Sequence, residues 1–136
     1  FRSMNGGIIF KNGGPVGWLG ERQERTSLSS CEAEIRATNA TSKKVVDFWN
    51  LSHSISSAGY QIPDIDSPTL VYNDNAACVQ WSYNMTSKAA QHIELRENSV
   101  REWVQDNTLN VLHVPGKSIP LTSSPKKCAM AHTFDV

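Results

Sequence analysis

The chain has 136 residues, 39% of them hydrophobic, with 13 basic residues against 13 acidic; this suits one domain with one modest core. The balanced charge gives no chain-wide attraction to nucleic acid, so any such contact needs a local patch. No apolar run approaches the roughly 20 residues of a membrane-spanning helix. Cys31, Cys78 and Cys128 lie far apart with no C-x-x-C pair, which argues against a zinc site or a disulfide framework and points to a reducing, intracellular setting.

Gly6 to Phe10 and Val16 to Leu19 are short apolar runs separated by Asn12-Gly13-Gly14-Pro15, the signature of a β-hairpin. Ser29-x-x-Glu32 matches a capping box. Apolar residues then recur at helical spacing, at Ala33, Ala37, Ala40, Phe48, Leu51 and Ile55, with Val45 and Trp49 widening the face. This predicts an amphipathic helix from about Ser30 to about Ser57, stopped before Gly59 and Pro63. Thr69 to Tyr72 reads as a buried strand ending at Asn73-Asp74-Asn75, and Ala76 to Trp81 as a short helix. Ile93 to Val104 reads as a surface helix and Leu109 to Val114 as a further strand. After Ile119 neither period is present, so 120–136 reads as an irregular tail.

Two carboxylates stand out by position. Glu32 lies in the first turn of the long helix, and Asp74 at the carboxyl end of a strand, where open α/β sheets place their sites. Carboxylates placed in this way can hold a pair of Mg²⁺ ions for phosphodiester cleavage. Neither is specific alone: a first-turn glutamate commonly caps its helix, and an aspartate after a strand commonly forms a turn or caps the next helix. The four tryptophans, Trp18, Trp49, Trp81 and Trp103, read as packing residues rather than base-stacking platforms. Lys88, Arg96, Arg101 and Lys117 are candidate phosphate contacts, with solvated charge as the alternative. Lys43-Lys44 reads as solvated charge.

Five motifs in order carry a resemblance. Pro15-Val16-Gly17-Trp18 precedes Ser29-Ser30-Cys31-Glu32-Ala33-Glu34, followed by Val71-Tyr72-Asn73-Asp74-Asn75, His92-Ile93-Glu94-Leu95-Arg96 and Leu112-His113-Val114-Pro115-Gly116. Over about Arg2 to Ser118 the chain resembles the ribonuclease H domain of copia-type retrotransposon polyproteins. The resemblance implies a mixed five-stranded α/β sheet flanked by helices, and Mg²⁺-dependent hydrolysis of RNA paired with DNA, in a cytoplasmic particle or the nucleus. It implies four metal-holding carboxylates, of which the helix glutamate falls on Glu32 and the strand-end aspartate on Asp74. Glu34 falls off the ligand position, and Glu32 and Asp74 are expected to face one another.

The chain departs from that pattern twice. The family's first aspartate lies on a central strand upstream of the segment that is here Ser3 to Gly6. Its last lies in P-A-D-I-F-T-K, where this chain reads Ile119 to Pro125 without an acid. Pro120 to Val136 can be encoded by a string that, read from the third base, gives A-D-I-F-T-K-E-M-R-D-G-A-H-F-R-R, which implies a frameshifted family terminus. The expected organisation is therefore an incomplete ribonuclease H-like domain over 1–119 and an irregular tail over 120–136. With two of four ligands missing, Mg²⁺ binding is weak and hybrid cleavage unmeasurable. Without the central strand, the hairpin and the Asp74 strand are expected to pair with each other or to take a strand from a partner, giving a strand-paired or swapped homo-oligomer. The alternative function is a non-catalytic nucleic-acid-binding or interaction module.

Overall fold

The computed structural model describes residues 3–63, 65–83, 99–114 and 127–134. Strands β1 (Met4–Lys11) and β2 (Gly14–Arg22) form the expected hairpin. Its turn residues Asn12 and Gly13 have φ of 52° and 80°, the left-handed pair that a two-residue turn between twisted strands requires. Helix α1 (Ser30–Ser57) starts where Ser29 Oγ accepts the Glu32 N–H at 3.1 Å. Strand β3 (Thr69–Asn73), helix α2 (Ala76–Tyr83), helix α3 (Ser99–Gln105) and strand β4 (Leu109–His113) follow. The predicted start of the third helix, at 93–98, lies outside the described residues.

The last element corrects the expectation of an irregular tail. Lys127–Phe134 is a strand, β5, at the centre of a five-stranded sheet of order β2-β1-β5-β3-β4. It runs antiparallel to β1 over eight residue pairs, Met4↔Phe134 to Lys11↔Lys127, and parallel to β3 from Leu70↔Cys128 to Tyr72↔Met130. The expectation that the hairpin and β3 pair directly, or borrow a strand from a partner, is corrected by the same finding. The chain fills that place itself, which removes the open edges on which the oligomer argument rested.

The sheet is mixed and flanked by helices, an architecture compatible with a ribonuclease H-like fold. Ile35 and Val45 of α1 join Ile9, Val71, Val111, Ala129 and Ala131 in the main core, with Cys78, Trp81 and Val100 from α2 and α3. Cys128 points the other way, into a smaller cluster with Tyr72 and Val114. Gly7 lets α1 sit close to β1, since a Cβ there would collide with Thr41 Oγ1. Trp18 departs from its expected packing role and is 78% exposed on the edge strand.

Candidate functional site

The carboxyl end of β3 meets the first turns of α1, and the meeting is organised by Asn73. This residue is fully buried. Its Nδ2 donates to Glu34 Oε2 at 3.1 Å, to Thr38 Oγ1 at 3.1 Å and to the Ala131 carbonyl at 3.3 Å. Its Oδ1 accepts the Asn75 N–H at 2.7 Å. The β3–β5 ladder ends at Tyr72↔Met130, so the side chain of Asn73 carries the pairing one step further. One amide thereby ties together α1, the end of β3 and the central strand.

The carboxylate that reaches this junction belongs to Glu34, not to Glu32. At about 100° per residue the two side chains leave α1 about 200° apart. Glu34 shares its stripe with Thr38, Thr41 and Val45, all buried towards the sheet. Glu32 is buried too, but it serves its own helix end. Its Oε2 accepts the Leu28 N–H at 2.8 Å, and its Oε1 pairs with Arg36 at 2.6 Å. The first-turn cap that was the alternative reading of Glu32 is what the geometry displays.

Asp74 follows Asn73 directly and is half-buried. It does not cap the next helix, because Asn75 Oδ1 takes the Cys78 N–H at 3.0 Å at the start of α2. The Asp74 carbonyl lies 3.1 Å from His113 Nε2, which fastens the end of β3 to β4. Burial pushes the Cys78 thiol up to about 12; a hydrogen bond with Thr38 opposes the rise, and Cys31, Glu34 and Asp74 add to it through charge. Burial also raises the Cys31 thiol, with Glu34 and then Glu32 adding to it.

A thiol whose pKa is raised on folding contributes stability below its ordinary pKa, here 9.0, and loses it as the pH climbs towards about 12. At roughly 1.4 kcal/mol per pH unit, the span corresponds to a loss of about 4 kcal/mol. The urea midpoint of the native chain should therefore fall between pH 8 and pH 11 more steeply than that of Cys78→Ala. Parallel slopes for the two proteins would contradict this account of the buried thiol.

Among the described residues, no three His, Cys, Asp or Glu side chains come together as a metal-holding group. Glu34 and Asp74 offer hard oxygen donors of the kind Mg²⁺ prefers, but two carboxylates do not fix the near-octahedral geometry it demands. Of the expected nucleic-acid contacts, Lys88, Arg96 and Lys117 lie outside the described residues. Arg101 is described and committed elsewhere: its Nε donates to the Trp81 carbonyl at 2.9 Å and its guanidinium sits 4.4 Å from the Trp81 ring centroid. That contact packs α3 on α2. No helix among the described residues is long and apolar enough to cross a membrane.

No family model and no solved structure matches the chain. Its sequence is 28% identical over 120 residues, 88% of its length, to the retrovirus-related Pol polyprotein from transposon TNT 1-94 of Nicotiana tabacum, of which it spans 8%. It is 29% identical over 113 residues, 82% of its length, to the corresponding polyprotein from transposon RE2 of Arabidopsis thaliana, and 27% over 113 residues to that from transposon RE1, spanning 7% of each. The chain is thus similar to a short stretch, less than a tenth, of retrovirus-related Pol polyproteins of plant transposons.

Proposed function

We propose that this chain is a ribonuclease H-like domain of a retrotransposon polyprotein that keeps half of an acidic metal centre and engages RNA–DNA hybrids without cleaving them. The observation that carries this reading is the junction of α1 and β3: a buried glutamate on the sheet-facing stripe of the helix, hydrogen-bonded to the residue that precedes a strand-end aspartate. The sheet order supports it, since a central strand lies between the hairpin and the strand that leads to Asp74, as the motif resemblance implies. Glu34 takes the role that the motif spacing had given to Glu32.

The same geometry is the reason to expect no cleavage. By the resemblance, the central strand contributes the first metal-holding carboxylate. Here that position is held by β5, whose residues Lys127–Phe134 include no acid. Glu34 and Asp74 can attract a divalent cation through charge, but two-metal hydrolysis needs ligands enough to hold an ion on each side of the scissile phosphate. The test is a gel assay with a labelled RNA–DNA duplex in Mg²⁺ and in Mn²⁺, run beside anisotropy binding of the same duplex. Binding without cleavage above background is expected. Metal-dependent cleavage that disappears in Glu34→Gln would show a complete centre and overturn the half-centre reading; no hybrid binding at any salt would overturn the choice of ligand.

A further inference from the structure

The stripe of α1 that carries Glu32 opens onto a groove of about 1060 Å³, counted with its mouth, between the helix and the end of β2. Five cations line it: Arg22 and Arg25 beside the strand end, and Arg36, Lys43 and Lys44 on the helix. Glu21, Glu24 and Asp47 oppose them and Glu32 neutralises Arg36, leaving a surplus of one positive charge in a chain whose formal net charge is zero. Arg36 is fixed in place, donating to the Arg25 carbonyl at 2.9 Å and to Glu32.

The groove has a built polar wall. Gln23 is 3% exposed and donates to Asn5 Oδ1 at 2.7 Å and to the Ala33 carbonyl at 3.0 Å. Asn39, 5% exposed, lines the same groove, and its Oδ1 has no hydrogen-bond partner among the described residues. From Arg36 to Lys43 is about 10 Å of helix axis. Each strand of a duplex presents a phosphate about every 3.4 Å of the helix axis, so cations along this face of α1 can meet more than one phosphate of a strand.

We infer that this groove binds the sugar–phosphate backbone of a nucleic-acid strand, with its exposed lysines, Lys43 and Lys44, neutralising phosphates. The identity of the strand rests on the proposed hybrid-binding function; the location of the contact rests on the groove. It is distinct from the acidic junction, since Glu32 and Glu34 leave α1 in opposite directions.

The test is fluorescence anisotropy with a labelled RNA–DNA hybrid and a single-stranded DNA of the same sequence, in EDTA, across a salt series. Lys43 and Lys44 are exposed, so Lys43→Glu/Lys44→Glu should fold, which circular dichroism checks. The double variant is expected to lose tenfold or more in affinity, and its log–log salt slope should fall by about 1.5, since each phosphate contact contributes about 0.7–0.9. Single Lys43→Glu should exceed Lys11→Glu, which changes the net charge equally outside the groove. Unchanged affinity and slope in the double variant, or an equal loss in Lys11→Glu, overturns the groove and leaves the hybrid reading standing. Groove-dependent binding of single-stranded DNA without hybrid binding supports the groove and removes the hybrid reading.

Discussion

A chain ended after Lys126 should show no cooperative unfolding transition, whereas the complete chain melts as one unit. β5 is the only described strand that joins β1 to β3; without it the sheet falls into two pairs, β1·β2 and β3·β4. Isolated two-stranded pairs are marginal in water. The loss would also strip backbone partners from both neighbouring strands and uncover Ile9 and Val71 in the main core. The cost is expected to exceed the ~5–15 kcal/mol by which a domain is ordinarily stable. A gentler variant gives a graded readout. Ala131 is fully buried in the core, and Ala131→Leu should cost about 1–3 kcal/mol by overpacking. Thermal and urea unfolding followed by circular dichroism measure both effects. A shortened chain that keeps the melting profile of the complete one would place β5 somewhere other than the centre of the sheet.

The second large effect belongs to Asn73. Asn73→Leu keeps the approximate volume but removes the donor shared by a buried carboxylate, a buried hydroxyl and a strand carbonyl. Each buried group left unsatisfied costs about 1–3 kcal/mol, and hydrogen bonds to charged groups lie towards the top of that range. A loss of about 3 kcal/mol in urea unfolding is expected. Much of it should return in Asn73→Leu/Glu34→Leu, because removing both partners of a buried pair spares the cost of the orphaned charge. The coupling in the double-mutant cycle should reach at least about 1 kcal/mol. Additive losses would mean that Asn73 and Glu34 do not depend on each other.

Sequence features with local causes were legible. The hairpin follows from Asn12-Gly13, and the start of α1 from Ser29 and Glu32, because turn and cap chemistry act over a few residues. β5 was not legible. A central strand is buried on both faces and loses the alternation that marks a half-exposed strand; here Cys128 and Ala129 are both buried, one on each side. What holds it is pairing with β1 and β3, distant in sequence.

Which of Glu32 and Glu34 reaches the end of β3 was not legible either. It depends on which stripe of α1 faces the sheet, and that stripe carries Thr38, Thr41 and Ser42, whose polarity hides it from hydropathy. The preference for Glu32 came from its place in the motif, which does not say which stripe faces the sheet, and the apolar face read from spacing ends in Leu51 and Ile55, exposed at 55% and 41%. A stripe drawn through Thr38, Thr41 and Val45 would have led back to Glu34. Asn73 had no sequence signal beyond its place beside Asp74; its three acceptors come from α1 and β5, both distant in sequence.

The most direct test of the acidic junction is paramagnetic broadening by Mn²⁺ in an amide NMR spectrum of the complete chain. Millimolar Mn²⁺ should broaden the amides around Glu34 and those of Asn73 to Asn75 first, and Glu34→Gln should abolish the effect there. Broadening centred on Glu21, Glu24 and Asp47, with the end of β3 untouched, would contradict the claim that Glu34 and Asp74 form one cation-attracting pair.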